Sequence, residues 1–315
     1  MALEVFRLQY EHNEVYKKYV DTLGVNPRLV NKIEAIPFLP IQFFKNKIIT
    51  TTKFEPEIIF ESSGTTGENI SRHFVKYLSV YKESFRRGFN LFYGDPAKWC
   101  IMGLLPGYLE RQNSSLVTMV DDLIKESGNA FSGFYLHDHE KLYEALVQNE
   151  KKEQPVLLIG VTFALLDFAE KYSMNLQHTT VMETGGMKGR REESTREEIH
   201  TFLRNKLGLQ NIHSEYGMTE LLSQAFSKEK GLFNCPPWMK VLTREETDPF
   251  AIKASSATPK PSTGLLNIID LANLYSCSFI ATDDVGKLYN NGSFEVLGRR
   301  DMSDMRGCSL LTAGD

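Results

Sequence analysis

The sequence predicts an α/β protein, with a largely parallel sheet flanked by helices and a small β-rich lobe towards its end. Short apolar runs of about four to eight residues alternate with helix-spaced segments through the first two thirds of the 315 residues. That alternation is the signature of a sheet covered on both faces. Near the end, strand-like runs are joined by Asn291-Gly292, the dipeptide of a tight hairpin.

Each element has its own local reason. The opening residues to about Val20 read as a charged amphipathic helix. Ile36 to Ile49 is rich in aliphatic and aromatic residues but broken by Pro37 and Pro40, so an extended, packed connection is expected. FESSGTTGENISRH, Phe60 to His73, has no apolar periodicity and reads as a loop. Leu78, Tyr81, Phe85, Phe89 and Phe92 then recur at helical spacing across Tyr77 to Phe92. Trp99 to Pro106, Pro155 to Gly160 and Thr179 to Gly186 read as buried strands, with helices over His139 to Glu150 and Val161 to Tyr172. Ser194 and Glu197 have the spacing of a capping box, ahead of a charged helix carrying Ile199, Phe202 and Leu203. Asn211 to Gly217 is a strand running into a turn. Glu245 to Gly264 is the expected surface loop or boundary, which divides the chain into a core of residues 1–244 and a lobe of residues 245–300. Gly264 to Leu271, Ser278 to Asp284 and the KLYNNGSFEVLG hairpin build that lobe.

Composition narrows the function classes. A formal net charge of −4 argues against a bulk nucleic-acid binder or a binder of anionic membranes. Cys100, Cys235, Cys277 and Cys308 are far apart and form no Cys-x-x-Cys, which favours reduced thiols over a disulfide framework or zinc site. The N-terminal residues lack the apolar core of a signal peptide, and no window reaches the roughly 18 apolar residues of a membrane helix. A cytoplasmic protein without a membrane span is the expectation.

Four segments could carry chemistry. Ser62, Ser63, Gly64, Thr65, Thr66 and Gly67 place hydroxyls and flexible backbone amides together, a composition that suits an anion nest for phosphate. It is no Walker A loop, since no Gly-Lys-Ser/Thr follows. SEYGMTE, Ser214 to Glu220, brings an aromatic face and a carboxylate to the end of a strand, where open α/β sheets bind ligands. ATDDVG and LGRRDMSDMRG offer carboxylates for ribose hydroxyls and arginines for phosphate oxygens. Other signals are weaker. HDHE, His137 to Glu140, has metal-like His-x-His spacing but reads better as a helix cap, and Ser79-x-x-Lys82 has no companion motif.

The order SSGTTG, GG, YGMTE, TDDVG and GRRD resembles the adenylate-forming superfamily of acyl-CoA synthetases, adenylation domains and luciferases. The resemblance runs from Ile36 to Gly307. Within it, the IPFLPIQFFKNK opening and the SSGTTG…SRH continuation look most like the acyl-protein synthetases, the LuxE-like family. The resemblance implies an N-terminal adenylate-forming domain with ATP and Mg2+ as cofactors. Ser62 to Gly67 would wrap the β- and γ-phosphates, while Gly185 and Gly186 would lie near the adenine and the acyl pocket. Tyr216, followed by Gly217, would stack on adenine. Thr219 would contact the α-phosphate and Glu220 would hold Mg2+. Asp284 would bind the ribose and Arg299 the ribose or phosphate, with Asp301 at the hinge.

The departures from the family pattern are specific. The Pro-Lys that usually follows the loop is absent, which leaves Arg72 as the candidate phosphate partner. Asp283 stands where the ribose motif has Gly. Only 14 residues follow Asp301 and none is Lys, so residues 301–315 are expected to be the hinge and a remnant of the mobile C-terminal domain. Either the family does without that domain, or another chain supplies it, or adenylation is weakened or lost.

The implied reaction is ATP-dependent activation of a carboxylic acid, fatty or aryl, then transfer to a thiol. The thiol is a protein Cys, a carrier protein or coenzyme A, and Cys308 is a more remote choice. The alternative is a non-catalytic nucleotide- or acyl-binding partner of another enzyme.

Overall fold

The computed structural model describes residues 1–62, 70–105, 113–185, 195–248, 250–254 and 260–300. Among these, most strands join one mixed sheet. Its parallel part runs Gly133–Phe134, Cys100–Leu104, Val156–Gly160, Thr179–Thr184, His213–Tyr216. The direction then reverses. Ala225–Ser227, Phe233–Asn234, Phe294–Arg299, Phe279–Leu288, Ser262–Asp270 and Met239–Arg244 follow in antiparallel order, with Ile252–Lys253 at the edge. Met239–Arg244 therefore pairs with Ser262–Asp270 across position 245, and the sheet is continuous there.

The parallel strands are apolar because both faces are covered. Every residue of Cys100–Leu104 and of Val156–Gly160 is buried. Helices Leu78–Tyr93, Ser115–Ser127, Thr162–Lys171 and Arg196–Leu207 contribute Phe85, Leu123, Phe168 and Leu203 to one core. Each such side chain contributes about 1.5–3 kcal/mol by leaving water. A second core lies under the antiparallel half, where Phe6, Tyr16, Phe44, Phe233, Phe279 and Phe294 meet.

Several expectations are corrected. The opening segment is two helices, Ala2–His12 and Glu14–Thr22. Asn13 breaks them because its side chain does two jobs. Its Oδ1 accepts from Tyr16 N–H at 2.9 Å, capping the second helix, and its Nδ2 donates to Ser276 O at 3.0 Å. The Ile36 to Ile49 connection holds a short strand, Leu39–Pro40, paired with Phe279–Leu288, and a short helix, Phe43–Asn46. The capping box lies one residue later than expected. Thr195 caps Arg196–Leu207 and Glu198 bonds back to it, because both Ser194-x-x-Glu197 and Thr195-x-x-Glu198 fit the pattern and only the second matches the first helical turn. The FESSGTTGENISRH segment is not a loop throughout. Its ends belong to a hairpin, Ile58–Glu61 with Arg72–Val75. Within Glu245 to Gly264, Ile252–Lys253 and the start of Ser262–Asp270 are strands. The Asn291-Gly292 turn is where the sequence places it, with Gly292 at φ 84°. In HDHE, Asp138 caps helix His139–Lys151, accepting from Lys141 N–H at 3.1 Å.

The N-terminal helix is clamped to the far end of the chain by one side chain. Gln9 Nε2 donates to Asn273 O and Leu274 O, both at 3.0 Å, and Gln9 Oε1 accepts from Ser278 N–H at 2.9 Å. Replacing Gln9 by Leu leaves Leu274 O and Ser278 N–H without this partner, while Asn273 O keeps only its bond from Ser276 N–H. Urea denaturation should show a loss of about 3 kcal/mol or more; a loss under about 1 kcal/mol would mean the clamp is dispensable.

Candidate active site

The hairpin of Ile58–Glu61 with Arg72–Val75 carries the two ends of the Ser/Thr/Gly segment. Ser62 closes its end, with its N–H donating to Ser71 O at 3.0 Å and its Oγ accepting from Ser71 N–H at 2.9 Å. Arg72 is exposed and stands opposite Glu61 in register. Ser62 and Arg72 thus mark the two ends of the loop. Ser63, Gly64, Thr65, Thr66, Gly67 and Gly186 lie outside the described residues, as do Ser194, Asp301 and Cys308.

The same hairpin holds the YGMTE segment. His73 Nδ1 lies 2.9 Å from Thr219 O. A carbonyl only accepts, so Nδ1 carries the proton and Nε2 is bare; that Nε2 is buried without a partner. Burial pushes the imidazole down to about 4, with the Thr219 bond opposing, so the ring is neutral near pH 7. From the other side, Asn273 Nδ2 donates to Glu220 O at 2.7 Å.

Four of the residues singled out from the sequence converge here. Tyr216 ends the strand His213–Tyr216, and its hydroxyl donates to Asp284 Oδ2 at 2.7 Å. Asp284 and Arg299 are cross-strand partners, with Arg299 Nε 3.4 Å from Asp284 Oδ1. Burial raises the Asp284 carboxyl above its ordinary range, and Arg299 and the Tyr216 hydroxyl oppose that rise. Glu220 is 5% exposed. Burial raises its carboxyl too, opposed by a hydrogen bond from Ser71 and by the charges of Arg299 and Lys45. One guanidinium therefore faces two desolvated carboxyls. The Tyr216 ring is buried against Phe233 and Phe294, with centroids 5.8 and 5.4 Å away. Asp283 lies within strand Phe279–Leu288 and accepts from Gln42 Nε2 at 2.6 Å.

A cavity of about 180 Å³ opens beside this cluster, lined by Gly185, Gly217 and Thr219 of the expected set. Gly185, at φ 74°, turns the chain at the end of strand Thr179–Thr184. Its wall also holds residues that sequence reasoning missed: Glu61, Tyr81, Glu215 and Gln224. Glu183 and Glu215 sit on adjacent strands and behave oppositely. Burial works to raise Glu183, but His200, with Nε2 3.5 Å away, and Thr162, donating at 2.5 Å, hold it below the usual range. Glu215 accepts from Thr184 Oγ1 at 2.6 Å; burial and the neighbouring Glu183 charge push it up to about 7, against that one bond. The one sequence signal for Glu215 was an acidic residue in a strand otherwise bound for the interior.

A profile of the family described as "Acyl-protein synthetase, LuxE" matches residues 1–314. The chain belongs to the acyl-protein synthetase family. A "Long-chain-fatty-acid--luciferin-component ligase" of Aliivibrio fischeri is 24% identical to this family member, over 99% of this chain and 87% of that protein. Among solved structures, the fold is similar to "ATP bound MatB from Rhodopseudomonas palustris", with a TM-score of 0.55 and 15% identity, covering 79% of this chain and 50% of that one. It is similar also to a "long-chain-fatty-acid-CoA ligase" from Archaeoglobus fulgidus, with a TM-score of 0.52 and 14% identity, covering 84% and 58%. The chain spans little more than half the length of those two ligases. At these identities the likeness shows the fold, that of an adenylate-forming N-terminal domain. No described helix is long and apolar enough to cross a membrane.

His73 gives this synthetase-family site an acid-sensitive joint. Its folded value of about 4 lies below the unfolded 6.5, so the unfolded chain takes up the proton first as pH falls. Stability should therefore be lost between pH 6.5 and 4, by an amount approaching about 3 kcal/mol from this residue. Melting curves across that range should show a shallower decline for His73→Asn than for the wild type; parallel declines would remove His73 as the cause.

Proposed function

We propose that this protein activates a carboxylic acid with ATP and passes the acyl group to a thiol. The acid's carboxylate oxygen attacks the α-phosphorus, a new O–P bond forms, and the bond to pyrophosphate breaks. A thiolate of a protein Cys, a carrier protein or coenzyme A then attacks the acyl carbon, a C–S bond forms, and AMP leaves as its bond to that carbon breaks. The first step needs no proton transfer, because the acid is already ionised near pH 7. Positioning and charge compensation must carry it.

The observation that supports this most is the convergence of Tyr216, Glu220, Asp284 and Arg299 beside a cavity edged by Thr219. Asp284 has the chemistry to hold ribose hydroxyls and Arg299 that to hold a phosphate oxygen. Thr219 would meet the α-phosphate, with the loop from Ser62 around the departing pyrophosphate and Arg72 beside it. Glu220 fits Mg2+. It is a buried carboxyl that lacks full charge compensation, and Mg2+ takes one or two carboxylates together with phosphate oxygens. When bound, the ion would offset charge on the phosphates. The relative's name favours a fatty acid as substrate. Cys100, Cys235 and Cys277 are free thiols, which favours a reducing cytoplasm.

Pyrophosphate–ATP exchange with a panel of acids tests the reading. Exchange should appear with at least one acid and fall by about 100-fold or more in Glu220→Ala. Asp284→Asn should chiefly raise the KM for ATP. ATP binding without exchange for any acid would leave only a nucleotide-binding partner protein, and near wild-type exchange in Glu220→Ala would show the metal site is misplaced.

A further inference from the structure

The wall of the cavity beside Thr219 is richer in hydrogen-bond acceptors than a plain hydrocarbon tail needs. Glu215 lies along it with one carboxylate oxygen engaged by Thr184. The other oxygen, Oε1, lies against Gly217, so close that any side chain there would collide with it. Gln224 flanks the same glycine, and its Cγ would touch a Cβ at position 217 at 3.4 Å. The Gln224 side chain is 6% exposed, its Nε2 reaches Tyr81 Oη only at 3.5 Å, and its Oε1 is buried with no partner. Glu61 adds a second carboxylate to the lining. None of the described lining residues is Lys or Arg.

An unpaired acceptor and a desolvated carboxyl each cost free energy. A saturated chain placed against them would leave that cost in place and strip away water as well. A donor would recover it. Resting on the acid-activation reading above, we propose that the acid taken by this site carries an N–H or O–H donor, as an amino or hydroxy acid does, which bonds to Glu215 and Gln224 while its carboxylate lies at Thr219.

Thr219 and Gly217 edge the same cavity, so both ends of such an acid would meet one continuous surface. Gly217 serves the arrangement by having no side chain, since a Cβ there would press on Glu215 Oε1. A site built around a donor discriminates strongly against the analogue that lacks it, because the buried acceptors are then left unpaired.

Pyrophosphate–ATP exchange with matched acids tests this directly: hexanoate against 6-hydroxy- and 6-aminohexanoate, and benzoate against 3- and 4-hydroxy- and aminobenzoates. The wild type should favour at least one donor-bearing acid over its unsubstituted match by about tenfold or more in kcat/KM. Glu215→Leu and Gln224→Met should each shrink that ratio towards unity, with Glu215→Gln in between. Unsubstituted acids used as well as all their donor-bearing matches, or ratios unchanged in the variants, would overturn the proposal while leaving acid activation standing. Exchange with no acid at all would instead sink the activation reading. Thermal shifts by the same acids then decide the cavity's preference. A larger shift from a donor-bearing acid, lost in Glu215→Leu, supports it; equal or absent shifts overturn it.

Discussion

The chain just after Thr219 and Glu220 is anchored by a buried carboxylate, Asp270, which acts alongside the bonds from His73 and Asn273. It accepts from Leu222 N–H at 2.8 Å, Ser223 Oγ at 2.6 Å and Ala272 N–H at 3.1 Å. Burial raises this carboxyl, and the bonds from Ser223, Leu222 and Ala272 oppose the rise. Without them the carboxylate could not remain in the interior. Ser223 extends the network to Ser84 at 3.1 Å, and Ser84 in turn accepts from Trp238 Nε1 at 3.0 Å. The strand Ser262–Asp270, the helix Leu78–Tyr93 and the chain just after Glu220 are thus joined in one polar knot. The candidate site is held in place from behind.

Charge around the site follows one pattern with different outcomes. Glu183, Glu215, Glu220, Asp270 and Asp284 are carboxyls within or beside the sheet, and each feels desolvation as its largest influence. Glu183 has His200 and Thr162 to answer it and stays ionised easily. Glu215 has one hydroxyl and a like-charged neighbour. Asp284 and Glu220 share the influence of Arg299, a side chain that is largely in solvent. Asp270 is structural and fully engaged within the protein, whereas Glu215, Glu220 and Asp284 keep bonding capacity for something not built from this chain.

Sequence reasoning succeeded where one residue class dominates an element. Cys100–Leu104 and Val156–Gly160 are almost wholly apolar, so two-sided burial was legible directly. The order of YGMTE, TDDVG and GRRD gave Tyr216, Glu220, Asp284 and Arg299, and the fold draws these four together. It failed where a residue's role depends on a distant partner. Asn13 looks like any polar residue in a charged helix until Ser276 is beside it. Asp270 sits at the end of an apolar strand, and its partners Leu222 and Ser223 lie 48 and 47 residues earlier in the chain. Glu215 was hidden because the side of the sheet it faces depends on register with Thr179–Thr184, which periodicity in a four-residue strand cannot define.

The Gln9 clamp also has a bearing on the order in which the chain can fold. The partners of the first helix are Asn273, Leu274 and Ser278, and Phe6 and Tyr16 pack on Phe279. During synthesis this segment has its apolar face ready while its partners are still unmade. Contacts that close more than 260 residues form slowly, because the loop entropy comes before the reward. The opening helices must therefore wait, exposed, for the last strands. The same closing event brings Asn273 to Glu220 and sets Asp284 against Tyr216. The nascent chain should have its parallel sheet core before it has its candidate site.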